Sequence, residues 1–286
     1  MKSLLRTYCF FVLFFVYISP VQVFAQEDDS KAFAGLETGR YLFNVLPEIT
    51  EVSSAVYNHD EGIVWVLGDG DSGAKIARVR LEDNDISLID IAGVENIDWE
   101  ALILTADGDL WILDVGDNDA KRDNIKLFRV RPDLIDETRI LDVLQIIHVS
   151  YPEGPMDVEA AVMRDERIYL FEKISIVEFK KARIVSVDVS GDSEISQTAM
   201  AEGRLPVIFS ITDASLSPEG VLYLLTYYGI FECYFWQKEY SFSLMSKFFF
   251  LGQQESMAVM GSNLFLVGVE TGNFYQIKKW FPFLPF

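Results

Sequence analysis

Five acidic residues, Glu51, Glu100, Glu159, Asp213 and Glu255, open five similar apolar segments at intervals of 49, 59, 54 and 42 residues. Carboxylates that converge raise one another's pKa, so a group of this kind must either hold protons or bind a cation. A hard, oxygen-rich donor set suits calcium best, and magnesium or manganese less well. Zinc and copper are disfavoured, because His59 lies in a turn, His148 in a strand, and neither has a Cys or His partner at ligand spacing. The same acids have a structural alternative: each can accept backbone N–H bonds that fasten one segment to the next.

The element behind each acid is clearest in residues 96–118 (NIDWEALILTADGDLWILDVGDN). It reads as an apolar strand opened by acids, a turn at Asp107-Gly108, a second apolar strand and an acidic Gly-rich loop, which together form a β-hairpin. Weaker copies recur along the chain, and each continues into further short strands. The pattern predicts strands at 51–57, 62–68, 74–80 and 86–92; at 98–104, 109–114, 125–131 and 142–151; at 157–163, 167–172, 182–188 and 194–202; and at 211–217, 221–226, 230–236 and 243–250. A fifth unit, 254–260, 263–268 and 273–278, lacks a fourth strand, which the unpaired strand 40–46 can supply. The expected fold is therefore all-β: a five-bladed β-propeller of four-stranded blades, closed by its N-terminal strand. Six blades would require a cryptic blade inside 131–151 or 173–182.

In a propeller the first strand of each blade lines the channel, and the end of the second strand flanks the same mouth. The five acids should then ring that mouth. Strand alternation adds Asp98 beside Glu100 and Asp157 beside Glu159. The second strands bring Asp69 and Asp71, then Asp114, Asp117 and Asn118, then Glu172 and Lys173, then Thr226 and Tyr227, then Glu270. Asp117-Asn118 is also a plain turn former. Lys173 is the one cation expected on this face, to pair with Glu159 or Glu172 or to meet an anionic group of a ligand. Tyr227 and Tyr228 can stack on a sugar or pack.

Residues 1–25 carry Lys2 and Arg6, an apolar run from Cys9 to Ile18 and a small residue at Ala25, the arrangement of a secretory signal peptide. The alternative is an uncleaved N-terminal anchor, for which the run is short; no integral membrane span is expected after cleavage, and the mature chain is expected in the periplasm or outside the cell. Residues 26–38 read as a linker, 39–279 as one propeller domain and 280–286 (WFPFLPF) as an aromatic tail, suited to docking on a partner or folding across the base of the ring. Without residues 1–25 the chain has 22 basic and 44 acidic residues, a formal charge of −22, which repels nucleic acid and anionic lipid and attracts cations. Only Cys233 remains, so no internal disulfide is expected, and its place in an aromatic strand marks it as a core residue.

Residues 98–118, followed by Arg122 and the strand 125–132, resemble a group of exported bacterial propellers whose blade reads Asp-Trp-Glu-Asp-Ile-Ala, then Gly-Asp-Ile-Gly-Asp-Asn, then a strand ending in Pro. Residues 151–160 (YPEGPMDVEA) with Glu172-Lys173 are similar to that group's Tyr-Pro-Asp-Gly and Asp-Ala-Glu-Ala stretch, and 212–220 with Thr226-Tyr227, and Gln254-Glu255 with Glu270, look like its later blades. Ala101 stands where the group has a second acid, and the loop 68–73 is longer than its usual Asn-Asp-Ser-Gly. The group is distantly similar to phytase-like propellers, which implies calcium bridging carboxylates and phosphate. Three functions follow: a calcium-binding scaffold with a protein partner, a metal-assisted phosphoesterase with Lys173 and Arg122 clamping a phosphorylated ligand, and a glycosidase using two channel carboxylates on a glycan.

Overall fold

Alternating apolar and polar residues, punctuated by Asp-Gly and Asn-Asp turns, leave the chain few options other than short antiparallel strands. The computed structural model describes residues 39–174, 181–191, 194–205, 210–233, 242–244 and 251–279, all within one compact unit. The expected signal peptide, linker and aromatic tail lie outside these residues.

A first strand, β1 (Arg40–Asn44), precedes blade one, which comprises β2 (Val52–Asn58), β3 (Ile63–Gly68), β4 (Lys75–Arg80) and β5 (Asp85–Ala92). Blade two follows with β6 (Trp99–Leu104), β7 (Leu110–Asp114) and β8 (Ile125–Val130); then come β9 (Ile140–Asp142) and β10 (Gln145–Ser150). Blade three has β11 (Val158–Arg164), β12 (Arg167–Glu172) and β13 (Ala182–Asp188), followed by β14 (Ile195–Thr198) and β15 (Met200–Leu205). Blade four is β16 (Ile211–Leu216), β17 (Leu222–Thr226), β18 (Gly229–Cys233) and β19 (Phe242–Leu244), and blade five β20 (Gln254–Gly261), β21 (Leu264–Val269) and β22 (Asn273–Lys278). The fold is a five-bladed β-propeller, with no α-helix among the described residues.

β1 does complete blade five. It pairs antiparallel with β22, Arg40 opposite Gln276 and Asn44 opposite Asn273, so the ring is closed by hydrogen bonds between its two ends. The first strands pack in cyclic order, β2 on β6, β6 on β11, β11 on β16, β16 on β20 and β20 on β2. Five apolar clusters fill the spaces between adjacent blades. Cys233 is buried in the cluster between blades three and four, as expected of a core residue.

The structure adds one strand and corrects another. The expected strand 142–151 is β10, which pairs with β8 as the fourth strand of blade two, but it is preceded by an unexpected short strand, β9, that pairs parallel with β5 of blade one. The expected strand 194–202 is divided, β14 lying parallel to β10 and β15 completing blade three. Each of these segments covers the outer edge of the preceding blade before crossing to its own. An open edge offers unpaired N–H and C=O groups, and the extra parallel strand satisfies them. The long 131–151 connection thus contains an edge cover and a fourth strand, not a sixth blade.

Candidate functional site

The ring is built by a repeated irregularity. In β2, Val52 faces Gly68 but Ser54 already faces Leu67, and the same shift occurs between Trp99 and Ala101, Val158 and Ala160, Ile211 and Asp213, and Gln254 and Ser256. Each first strand therefore has a β-bulge at its start, where two residues oppose one and a side chain is re-aimed. The residues left over are Ser53, Glu100, Glu159, Thr212 and Glu255, all of them 9% exposed or less.

This differs from the register expected from the sequence. Glu100, Glu159 and Glu255 occupy the bulge, whereas Glu51 lies two residues before it and Asp213 one residue after. Glu51 is an exposed residue at φ 49°; partial burial, then Asp71, Asp69 and Glu270, push its carboxyl up. Asp213 is 2% exposed. Its Oδ2 accepts from Met257 N at 2.6 Å and its Oδ1 from Ala214 N at 2.8 Å, so it fastens blade four to blade five. Ser54, at the equivalent position in blade one, accepts from Leu102 N of blade two at 3.1 Å. The fastening role foreseen as the alternative holds for Asp213, and the bulge positions of blades one and four belong to hydroxyls, Ser53 and Thr212.

Three carboxylates do meet. Asp69, Asp98 and Glu100 each offer an oxygen within 4.8 Å of the others. Asp98 lies just before β6 and Glu100 at its bulge, and Asp69 follows β3. Asn96 holds the two blades in register: its Nδ2 donates to the carbonyls of Gly68, Asp69 and Gly73 at 2.9, 3.1 and 3.1 Å, and its Oδ1 accepts from Trp99 N at 3.0 Å. Asp98 is fixed through its backbone. Its N–H donates to Asp114 Oδ1 at 3.1 Å and its carbonyl accepts from Val115 and Gly116, both at 3.1 Å. A Cβ on Gly116 would lie 2.4 Å from Asp98 Cγ and 2.6 Å from both carboxylate oxygens, so only glycine lets that carboxylate rest against the loop. Burial, then Asp69, push Asp98 up to about 7. Burial, then Glu159, Asp98 and Asp69, hold Glu100 well above the carboxylate range.

The rest of the ring is paired differently. Lys173 Nζ donates to Glu159 Oε1 at 2.5 Å. Burial works against the lysine's charge, but Glu159, then Glu255 and Tyr227, raise its pKa. Glu159 is pushed up to about 8 by burial, against the opposing pull of Lys173. Tyr227 Oη donates to Glu255 Oε1 at 2.8 Å, and burial lifts Glu255 to about 7. Glu255 Oε2 and Thr212 Oγ1 are buried with no hydrogen-bond partner among the described residues.

The remaining expected residues have structural duties or stand at the rim. Asp117 is buried, its Oδ2 accepting from Arg122 N at 2.6 Å, so it shapes its own loop. Asp157 Oδ1 accepts from Asp117 N at 3.0 Å and ties blade three to that loop. Arg122 is committed to Gly116 O at 2.6 Å and Asp114 Oδ1 at 2.8 Å. Asn118 and Asp71 are exposed, and Glu270 is half-buried at the end of β21. Asn96 was missed as a positioning residue. A lone Asn ahead of a strand carries little signal beyond its capping chemistry.

No protein-family model and no curated protein sequence matches the chain. Among solved structures, it is similar to the PQQ-bound aldose sugar dehydrogenase of Streptomyces coelicolor, with TM-score 0.50 and 10% identity over 85% of this chain and 98% of that one. It is also similar to a luciferin-regenerating enzyme (TM-score 0.49, 9% identity, 82% and 92% covered) and to a gluconolactonase of Xanthomonas campestris (TM-score 0.47, 9% identity, 86% and 92% covered). At such identity the likeness to the dehydrogenase speaks for the propeller fold and not for an activity. The phytase-like relationship stays a reading of the motifs.

Proposed function

We propose that the chain is an exported propeller that binds a divalent cation, calcium in preference to magnesium, at the channel mouth between blades one and two. The observation that supports this is the meeting of Asp69, Asp98 and Glu100 within 4.8 Å. A single ion about 2.4 Å from each oxygen spans ligands up to roughly twice that distance apart. Arg122 acts on Asp98 and Lys173 on Glu100 only from a distance, because both are already engaged: Lys173 is paired with Glu159, and Arg122 is held by Asp114 and Gly116. Those two pairings also weigh against a phosphate clamp made of Lys173 and Arg122. A hydrolytic reading, on a glycan or another neutral substrate, has one observation in its favour: Glu159 and Glu255, pushed up to about 8 and about 7, would exchange protons near neutral pH.

Thermal unfolding of residues 26–286 with calcium, magnesium or chelator, beside a Glu100→Gln variant, tests the proposal. Calcium should raise the wild-type midpoint more than magnesium does, and the variant should lose most of the rise. A midpoint indifferent to calcium and chelator would remove the cation from the account and leave the acids as fasteners.

A further inference from the structure

The five strands that carry the polar ring carry an apolar one four residues further along: Tyr57, Leu104, Met163, Leu216 and Val259, one from each blade. Four strand residues span about 13 Å, so this second ring lies toward the opposite end of the channel. There it lines a cavity of about 890 Å³, together with hairpin turns of blades one to four. The volume is in the range of small-molecule sites, roughly 300–1,000 Å³. Tyr57, Leu104, Met163 and Leu216 are each only part-buried, leaving apolar wall in contact with solvent.

The polar groups of this cavity narrow its ligand. Thr105 Oγ1 donates to Asp107 Oδ1 at 2.6 Å, Ser217 Oγ accepts from Val221 N at 3.3 Å and Asn58 Oδ1 accepts from Asp60 N at 3.0 Å, so these groups close their own turns. With His59 and Ser215 as the other polar side chains of the lining besides Tyr57 and the charged ones, recognition rests chiefly on apolar contact and on charge. The mouth carries four carboxylates, Asp60, Glu61, Asp107 and Asp165, against one guanidinium, Arg164, and one imidazole, His59; Arg164 lies 3.4 Å from Asp165. The aromatic ring of Tyr57 lines the same cavity, in edge contact with His59 at 4.7 Å between ring centroids, and adds a π surface of the kind that attracts cations. An anionic ligand would meet like charge, and a sugar would find few groups to bond.

We propose that this cavity is a second ligand site, separate from the acidic mouth, and that it takes a cationic amphiphile, with the apolar body in the throat and the ammonium among the rim carboxylates. The test is titration calorimetry of the folded chain with decyltrimethylammonium, decanol and decanoate, each below its micellar range. The ammonium should bind at least tenfold more tightly than decanoate, with decanol between, and chelator should change none of the three. Met163→Arg, checked for an unaltered unfolding midpoint, should abolish ammonium binding. Asp60→Lys with Glu61→Lys, both exposed and outside the throat, should bring the ammonium and decanoate affinities together or invert them. Equal affinity for all three probes, or binding indifferent to Met163→Arg, would overturn the proposal. Binding seen only after removal of residues 280–286 would overturn it as well, by assigning the cavity to that segment.

Discussion

Replacing Gly116 with alanine separates a metal site from a set of blade fasteners. The added methyl would meet Asp98 Cγ at 2.4 Å and both Oδ atoms at 2.6 Å, about 1 Å inside van der Waals contact. Because these atoms are the end of a short side chain and not backbone, the carboxylate swings away and the loop stays. The cost to the metal-free fold is then small, and the entropy lost by the unfolded chain on Gly→Ala, worth about 0.4–1 kcal/mol, partly offsets it. The cation, in contrast, loses one of three carboxylates. If affinity falls tenfold, the loss is about 1.4 kcal/mol. With calcium at a hundred times its dissociation constant, the wild type gains about 2.7 kcal/mol, or roughly 5–10 °C in midpoint for a domain of this size. The variant at the same calcium concentration should gain only about half as much. Differential scanning fluorimetry in calcium and in chelator reads both quantities. A Gly116→Ala protein with the wild-type calcium shift would show that Asp98 is not a ligand; one destabilised equally with and without calcium would show that the glycine serves the fold alone.

Asp213→Ala should behave in the opposite way, because it strips acceptors from two buried N–H groups: destabilisation of about 2–4 kcal/mol by chemical denaturation, with the calcium shift intact. Asn96→Ala should lower both stability and calcium affinity, since the same side chain holds the loop carrying Asp69 and the start of β6; calcium titration by calorimetry, beside denaturation, checks the pair. The metal-free protein should lose stability as pH rises from about 4 to about 8. Asp98 and Glu255 bind protons more tightly when folded, at about 7 for each, so their contribution is complete below their unfolded pKa and is lost as pH rises through the folded value. For Glu255, raised from 4.5 to about 7, this corresponds to about 3 kcal/mol. Unfolding midpoints in chelator across that range would refute it by rising instead, and calcium should stabilise more at pH 8 than at pH 5. Tyr227→Phe removes the one bond that favours the Glu255 carboxylate and should raise that group's pKa further, as read by carboxyl NMR.

How much of this the sequence made legible depends on the length scale of each feature. Blade count and ring closure rest on period-two apolar runs and turn residues repeated five times, and an unpaired strand at one end matching a missing strand at the other is visible in any linear reading. The double duty of 140–150 and 195–205 was not, because a run that changes partners midway has the same alternation as one that does not. The largest difference at the site is one of register. Spacing alone placed Glu51 and Asp213 with the other three acids, and only the pairing partners show that Glu51 lies two residues before its bulge and Asp213 one residue after. Aligned on those partners, the ring is two hydroxyls and three carboxylates. That arrangement is asymmetric around the channel: Glu100 faces Asp69 and Asp98 and feels Lys173 only from a distance, while Glu159 and Glu255 are bonded directly to Lys173 and Tyr227. A fully acidic ring would have asked for charge compensation on every side. This one concentrates the least compensated charge between blades one and two, and it is there, in the sector that Asn96 and Gly116 shape, that a cation would do most to stabilise the fold.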